Sequence, residues 1–457
     1  MPKARIRELW LAALMVLACG VMAACSSTST TAAELHVPAP SSPRPQYVTR
    51  QGAPVAFAAG KGVALPGAAS DNTNLGGGQD GPPPVALAGD TVFVTTGTSV
   101  LVVSAATGQT IGSVRPQYDV PNPAGGNGTV IAGNAAAPPQ VENLQGRQVA
   151  LAGYVVQLPG NGTTPASLAV EVDAVDTSAQ RLWQILAALP GQPGQQPVLA
   201  GDPTVTFAGS SGSDVVAAVG DPADGYTTLA FDVAARKLLW QSPAFLAETV
   251  VGNTAVGTVD PSAPSSLGTH STFGPMHVAA VSVLTGRAGW QQPGSVLAAN
   301  IQQGGPDTVL VEAEDNETAD DIISVVPVST GRGVTLADQH GLSQGALPWT
   351  CQFDGLASVV CSDGDLVQGQ QAFAIDGRTG QVLWQLPDTT KNRIAPTVTA
   401  VYHGRLYGTT PSGPVVLDAR TGADLNDSPG IAPVLLDQAV GIADSLDNGL
   451  EAYPATR

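Results

Sequence analysis

Residues 372–384 read Ala372-Phe373-Ala374-Ile375-Asp376-Gly377-Arg378-Thr379-Gly380-Gln381-Val382-Leu383-Trp384. An apolar run ends in Asp376, whose side-chain oxygen can accept from the N–H groups of the turn that follows. Gly380 then supplies a positive φ, and a second strand begins with an apolar anchor, Trp384, four residues later. The arrangement recurs at 101–108, 281–290 and 415–422, with turns that end on Gly108, Gly286 and Gly422 and with Asp418 in the last copy. Degenerate copies at 170–183, 229–240 and 323–335 carry Asp232 and Gly331. In four copies the anchor is tryptophan: Trp183, Trp240, Trp290 and Trp384.

Taking the anchor position as 112, 183, 240, 290, 335, 384 and 426 gives intervals that settle between 42 and 57 residues after a first one of 71. A period of about 40 to 50 residues built of strands is that of propeller blades. The rest of the chain agrees, since 91–94, 215–219, 308–311 and 397–402 are short alternating or β-branched runs between Gly, Pro and Asp. The expected fold is therefore all-β, a single propeller of eight four-stranded blades over residues 46–457, with seven blades as the alternative. Three strand-like segments at 432–453 lack a fourth, which either 47–59 or 62–65 can supply, joining the two termini in one composite blade and leaving no open edge. The long first interval is read as a loop insertion near 115–145, rich in Pro, Gly and Asn. The tryptophans are expected to fill the wedges between blades, because a stripe at the repeat period is explained by packing.

Residues 1–24 read as an export signal: Lys3, Arg5 and Arg7 precede an apolar run from Leu9 to Ala24 that is too short to span a membrane. Met22-Ala23-Ala24-Cys25 resembles a lipoprotein cleavage box, which implies acylation of Cys25; Cys19 is the rival site. Residues 25–45, rich in Ser, Thr and Pro, form an extended tether. Two acyl chains would hold the protein on the outer face of the cell membrane, in the extracytoplasmic envelope. Cleavage would lower the net charge from −18 to −20. With lysine only at positions 3, 61, 237 and 391, no basic stripe is available for nucleic acid.

Cys351 and Cys361 flank a hairpin signal, Phe353-Asp354-Gly355-Leu356, and are expected to form a structural disulfide, which that compartment permits. Catalytic constellations are missing. Gly76–Gly81 formally matches a dinucleotide loop but runs into three prolines, and Gly341–Gly345 matches a nucleophile elbow, with Asp338 and His340 upstream, but leads into another strand. Glu312, Glu314, Asp315, Glu317, Asp320 and Asp321 form the densest acidic cluster. The first four are a weak metal candidate without EF-hand spacing, and the cluster is expected to be a solvated hairpin tip. His36, His270, His277, His340 and His403 are scattered.

The repeat resembles the pyrroloquinoline-quinone-type propeller motif, Ala-x-Asp-x-x-Thr-Gly-x-x-x-Trp, best matched at 374–384. That resemblance implies either quinone-dependent dehydrogenases or non-catalytic relatives, namely the outer-membrane-assembly scaffold lipoproteins and propeller sensor domains. The dehydrogenases add adjacent cysteines, calcium-binding Glu and Asn and a catalytic Asp, and no residue here can be matched to those roles. The expectation is thus a non-catalytic, membrane-anchored scaffold with no quinone, calcium or other cofactor, binding an envelope protein or cell-wall ligand. The alternative is a quinone- or metal-dependent enzyme, or a small-ligand sensor, that uses the central channel.

Overall fold

The computed structural model describes residues 52–67, 83–120, 137–189, 203–221, 225–243, 245–260, 275–318, 321–339, 349–363, 370–445 and 449–456, all within the compact unit Pro45–Arg457. The signal segment, Cys19, Cys25, the whole tether 25–45, His36, His270, His340, Asp320, Gly76–Gly81 and Gly341–Gly345 lie outside the described residues.

The strands form eight four-stranded antiparallel sheets arranged in a ring: an eight-bladed β-propeller. In each blade, strands a to d run outward from the axis. Blade 1 comprises Val85–Ala88, Thr91–Thr96, Ser99–Ser104 and Thr110–Val114, and blade 2 Gln140–Leu144, Arg147–Leu158, Ser167–Asp176 and Arg181–Ala188. Blades 3 to 7 begin at Thr204, Phe245, Val296, Trp349 and Thr397. Blade 8 is composite. Its strands a to c are Leu435–Leu436, Val440–Ser445 and Gly449–Pro454, and its outermost strand is Val63–Ala64, with Val63 opposite Ala452. The second of the two proposed segments thus closes the ring, and the first assists it through a bridge between Phe57 and Ala455. Tyr407 Oη donates to Pro54 O at 2.6 Å and Asn426 Nδ2 to Val55 O at 2.7 Å, which fastens this N-terminal segment to blade 7 as well.

The core is not one mass. Apolar residues on the facing sides of neighbouring blades make eight separate clusters, one for each seam, from Val92 and Val440 between blades 8 and 1 to Tyr407 and Ala443 between blades 7 and 8. Both faces of a strand are therefore apolar, which is why Arg147–Leu158 and Ser167–Asp176 read as nearly continuous hydrophobic runs.

One expectation needs correction. The insertion placed at 115–145 is shorter, because Gln140–Leu144 is strand a of blade 2 and pairs with Arg147–Leu151. Part of the long interval is taken up instead by the 12- and 10-residue strands b and c of that blade. A short strand carrying Gln, Glu and Asn has no apolar alternation to reveal it.

Antiparallel order fixes two faces. The a–b and c–d turns lie at one end of every blade, and none exceeds six residues (328–333 is the longest). The b–c and d–a connections lie at the other end and include 65–84, 115–139 and 260–276. The C-terminal strand Gly449–Pro454 ends at the short-turn face, where Phe57 bridges Ala455.

Candidate functional site

The turn residues do local work. Asp376 Oδ1 accepts from Arg378 N at 3.2 Å, Thr379 N at 3.1 Å and Thr379 Oγ1 at 3.0 Å; Asp418 repeats this with Arg420 and Thr421. Asp232 accepts from Ala235 N at 2.8 Å. Gly108, Gly286, Gly331, Gly380 and Gly422 have φ between 65° and 71°. In two of the three degenerate copies the same conformation is held by Ala179 and Arg236, at 60° and 56°. Arg420 Nη2 also reaches Asp376 Oδ2 at 3.2 Å, so the turns of blades 6 and 7 are tied together.

Each anchor tryptophan sits in a seam. Trp240, Trp290 and Trp384 donate their indole N–H to Val283 O, Val328 O and Ala419 O in the turn of the next blade, at 2.6, 2.7 and 2.9 Å. Their rings lie on Gly286, Gly331 and Gly422, where a β-carbon would come within 2.3 to 2.9 Å. Trp183 packs in the seam of blades 2 and 3 that also holds Val233. In blade 5 the anchor is Leu336, which contacts Gly380, and not position 335.

The acidic cluster divides. Asp315 closes the hairpin as expected: the N–H groups of Thr318 and Glu317 hold its carboxyl below the usual range. Glu314 is half-buried and Glu317 exposed. Glu312 departs from the expectation of a solvated tip, for it is 1% exposed. It lies opposite Asn300 on the side of its blade that faces blade 6, and accepts from Asn300 Nδ2 at 3.2 Å and Gln302 Nε2 at 3.4 Å. Burial pushes its carboxyl up to about 8, against the lowering effect of those amides.

Beside it, in strand a of blade 4, Glu248 Oε2 accepts from Ile301 N in strand a of blade 5 at 2.7 Å. Its other oxygen is buried without a hydrogen-bond partner. Burial, with the nearby Glu312 as a smaller cause, raises this carboxyl to about 8. Gln352 makes the equivalent link from blade 6 to Val401 N in blade 7, at 2.9 Å. The inner strands of neighbouring blades are thus stitched by side chains of the bordering residues.

A second buried set lies in the seam of blades 1 and 2. Glu171 and Asp173, in Val170-Glu171-Val172-Asp173-Ala174, are both 0% exposed. Asp173 Oδ1 is 2.8 Å from Arg181 Nε, and Glu171 accepts from Gln117 N at 2.6 Å and Tyr118 N at 3.2 Å. Arg181 also donates to Arg115 O. The segment leaving blade 1 is therefore clamped by two carboxylates and one guanidinium. Burial raises Asp173, with Glu171 as the next cause, and burial raises the Tyr154 hydroxyl beside it. Sequence reasoning missed Glu171, Asp173, Arg181 and Glu248. The available signal was acids alternating with valines in a strand buried on both faces.

Cys351 and Cys361 form the expected disulfide and are opposite each other on strands a and b of blade 6. Asp354 Oδ1 closes that hairpin by accepting from Leu356, Ala357 and Ser358 N. His277 Nδ1 is 3.0 Å from Gly294 O, and His403 stacks on Tyr402. On blade 7 a groove of about 260 Å³ is lined by Asn392, Arg393, Ile394, Thr410, Val415 and Asp424, with Arg393 and Asp424 paired at 2.5 Å. Among the described residues no helix is long and apolar enough to cross a membrane.

No family model and no curated protein matches the chain. Solved structures with a similar fold include a europium-containing methanol dehydrogenase, 10% identical over 81% of each chain with a TM-score of 0.40. They also include the Dos1 propeller, 8% identical over 80% of this chain and 89% of that one, TM-score 0.45. Sqt1 of Saccharomyces cerevisiae is 10% identical over 90% and 98% of the two chains, TM-score 0.39. These likenesses concern the fold alone.

Proposed function

We propose that this protein is an exported lipoprotein, anchored to the membrane through Cys25, whose propeller is a non-catalytic scaffold for an envelope protein or cell-wall ligand. The observation that carries the reading is the difference between the two faces. Both the N-terminal segment and the last strand meet the disc at the face of short, side-chain-capped turns, whereas every long connection leaves from the opposite face. A tether attached on one side directs the loop-bearing side away from the membrane, where loops on a rigid scaffold serve binding.

The test is photo-crosslinking in intact cells from two pairs of exposed positions. Thr98 and Ser412 lie in b–c turns, and Leu284 and Leu356 lie in turns of the opposite face. A partner captured from the first pair and not from the second supports the proposal. Capture from the short-turn face alone, or release failing to follow Cys25→Ser, would overturn it.

A second reading, a small-ligand or metal-dependent site at the inner strands, is favoured by Glu248 and Glu312. Among the described residues the charged neighbour that acts on Glu248 is another acid. Calorimetric titration with pyrroloquinoline quinone plus calcium distinguishes it: saturable binding supports this reading, and its absence leaves the scaffold.

A further inference from the structure

The carboxylate of Glu312 and the sulfurs of Cys351 and Cys361 lie within 4.8 Å of one another, each on a buried residue. The two sulfurs come from residues opposite each other on adjacent strands, and the carboxylate arrives from blade 5 across the seam. The amides of Asn300 and Gln302 hold that carboxylate in place. While the sulfurs are bonded to each other they cannot ligate. From this geometry we propose that the reduced chain holds one zinc ion on Cys351, Cys361 and Glu312, so that the seam of blades 5 and 6 has two alternative crosslinks, a disulfide or a metal.

The chemistry balances with a phosphine as reductant. The phosphine gives two electrons to the disulfide and takes up the oxygen of one water, and the two protons of that water appear on the two thiols. Zinc then displaces both thiol protons and the proton that Glu312 carries at neutral pH. Two thiolates and a carboxylate suit zinc, whose ligand distances of about 2.0 to 2.3 Å place ligand atoms roughly 3 to 4 Å apart, within reach of the present spacing. Three protein ligands leave a fourth position for water. Buried thiolates would otherwise lack a countercharge, so the metal and the thiolate form stabilise each other.

The experiment uses the full chain with Cys19→Ser and Cys25→Ser, so that only the seam cysteines titrate, reduced with a water-soluble phosphine and probed with zinc alone. The expected result is one zinc per chain, close to three protons released at pH 7 (two from the thiols and one from Glu312), and no binding before reduction. Cys351→Ser should abolish binding, and Glu312→Gln or Asn300→Ala should weaken it by roughly tenfold or more. Thermal unfolding is followed in parallel, since zinc should raise the melting temperature of the reduced chain and leave the oxidised chain unchanged. A reduced chain that neither binds zinc nor gains stability from it overturns the proposal, as does binding indifferent to both Cys351→Ser and Glu312→Gln.

Discussion

The indole of Trp290 in blade 4 lies on Gly331 in the turn of blade 5, so close that a β-carbon at residue 331 would fall 2.3 Å from the ring, while the indole N–H donates to Val328 O at 2.7 Å. In blades 3, 4 and 6 the anchor tryptophan thus reads the backbone of the next blade's turn. Gly is required there twice over, by its φ of 67° and by the ring above it. Gly331→Ala should cost about 2 to 3 kcal/mol, through strain at positive φ and displacement of the ring. Gly212→Ala, at a φ of 64° with no atom near its β-carbon, should cost about 1 kcal/mol. Denaturant midpoints of the two variants check this, and equal losses would mean that the ring contact contributes nothing.

Stability should fall as pH rises from about 4.5 to 8. Glu248 ordinarily titrates near 4.5 but is held up to about 8 in the fold by burial, so the native state binds its proton more tightly than the unfolded chain does. Over that window unfolding releases a proton, and the slope of stability with pH is negative. Glu248→Gln keeps an acceptor for Ile301 N and should flatten the slope, measured as melting temperature between pH 5 and 8.5.

Breaking the clamp on the segment that leaves blade 1 should act locally. Glu171→Ala would leave the N–H groups of Gln117 and Tyr118 without their carboxylate acceptors and would free Arg181 to pair with Asp173 alone. The expected cost is about 1 to 3 kcal/mol. Amide exchange at 115–119 should rise at least tenfold, with little change in blades 5 to 7.

Replacing both seam cysteines by serine should lower stability by about 2 to 3 kcal/mol, because the bridge closes a loop of 10 residues. Guanidinium unfolding of the double variant against the oxidised protein measures it.

Phe57→Ala should loosen the closure of the ring. Phe57 is 5% exposed, packs edge-on against Tyr407 at 6.2 Å and precedes the two-residue strand that completes blade 8. A loss of about 3 to 5 kcal/mol is expected, seen as a lower melting temperature and faster exchange in Gly449–Pro454.

The sequence by itself determined whatever is local in the chain. Asp376 and Gly380 specify their turn within five residues, the copies repeat it, and the spacing sets the blade period. The three strands at the C-terminus without a fourth called for a partner from 47–59 or 62–65, because a strand edge must be paired, and only the structure seats 63–64 there. The cysteines flanking Asp354 could face each other because a hairpin turn fixes register over a few residues. Tertiary structure decided which side of each strand meets a neighbouring blade some 50 residues away. Glu312 looked like part of a solvated tip because it adjoins Asp315, yet alternation turns it towards the next blade and the disulfide. Glu171 and Asp173 were visible as acids among valines; Arg181 reaches them across the hairpin of strands c and d within blade 2, but the amides of 117 and 118 meet Glu171 only when blade 2 packs on blade 1. Turn chemistry depends on the nearest residues along the chain, whereas the burial of a charge depends on what the ring brings beside it.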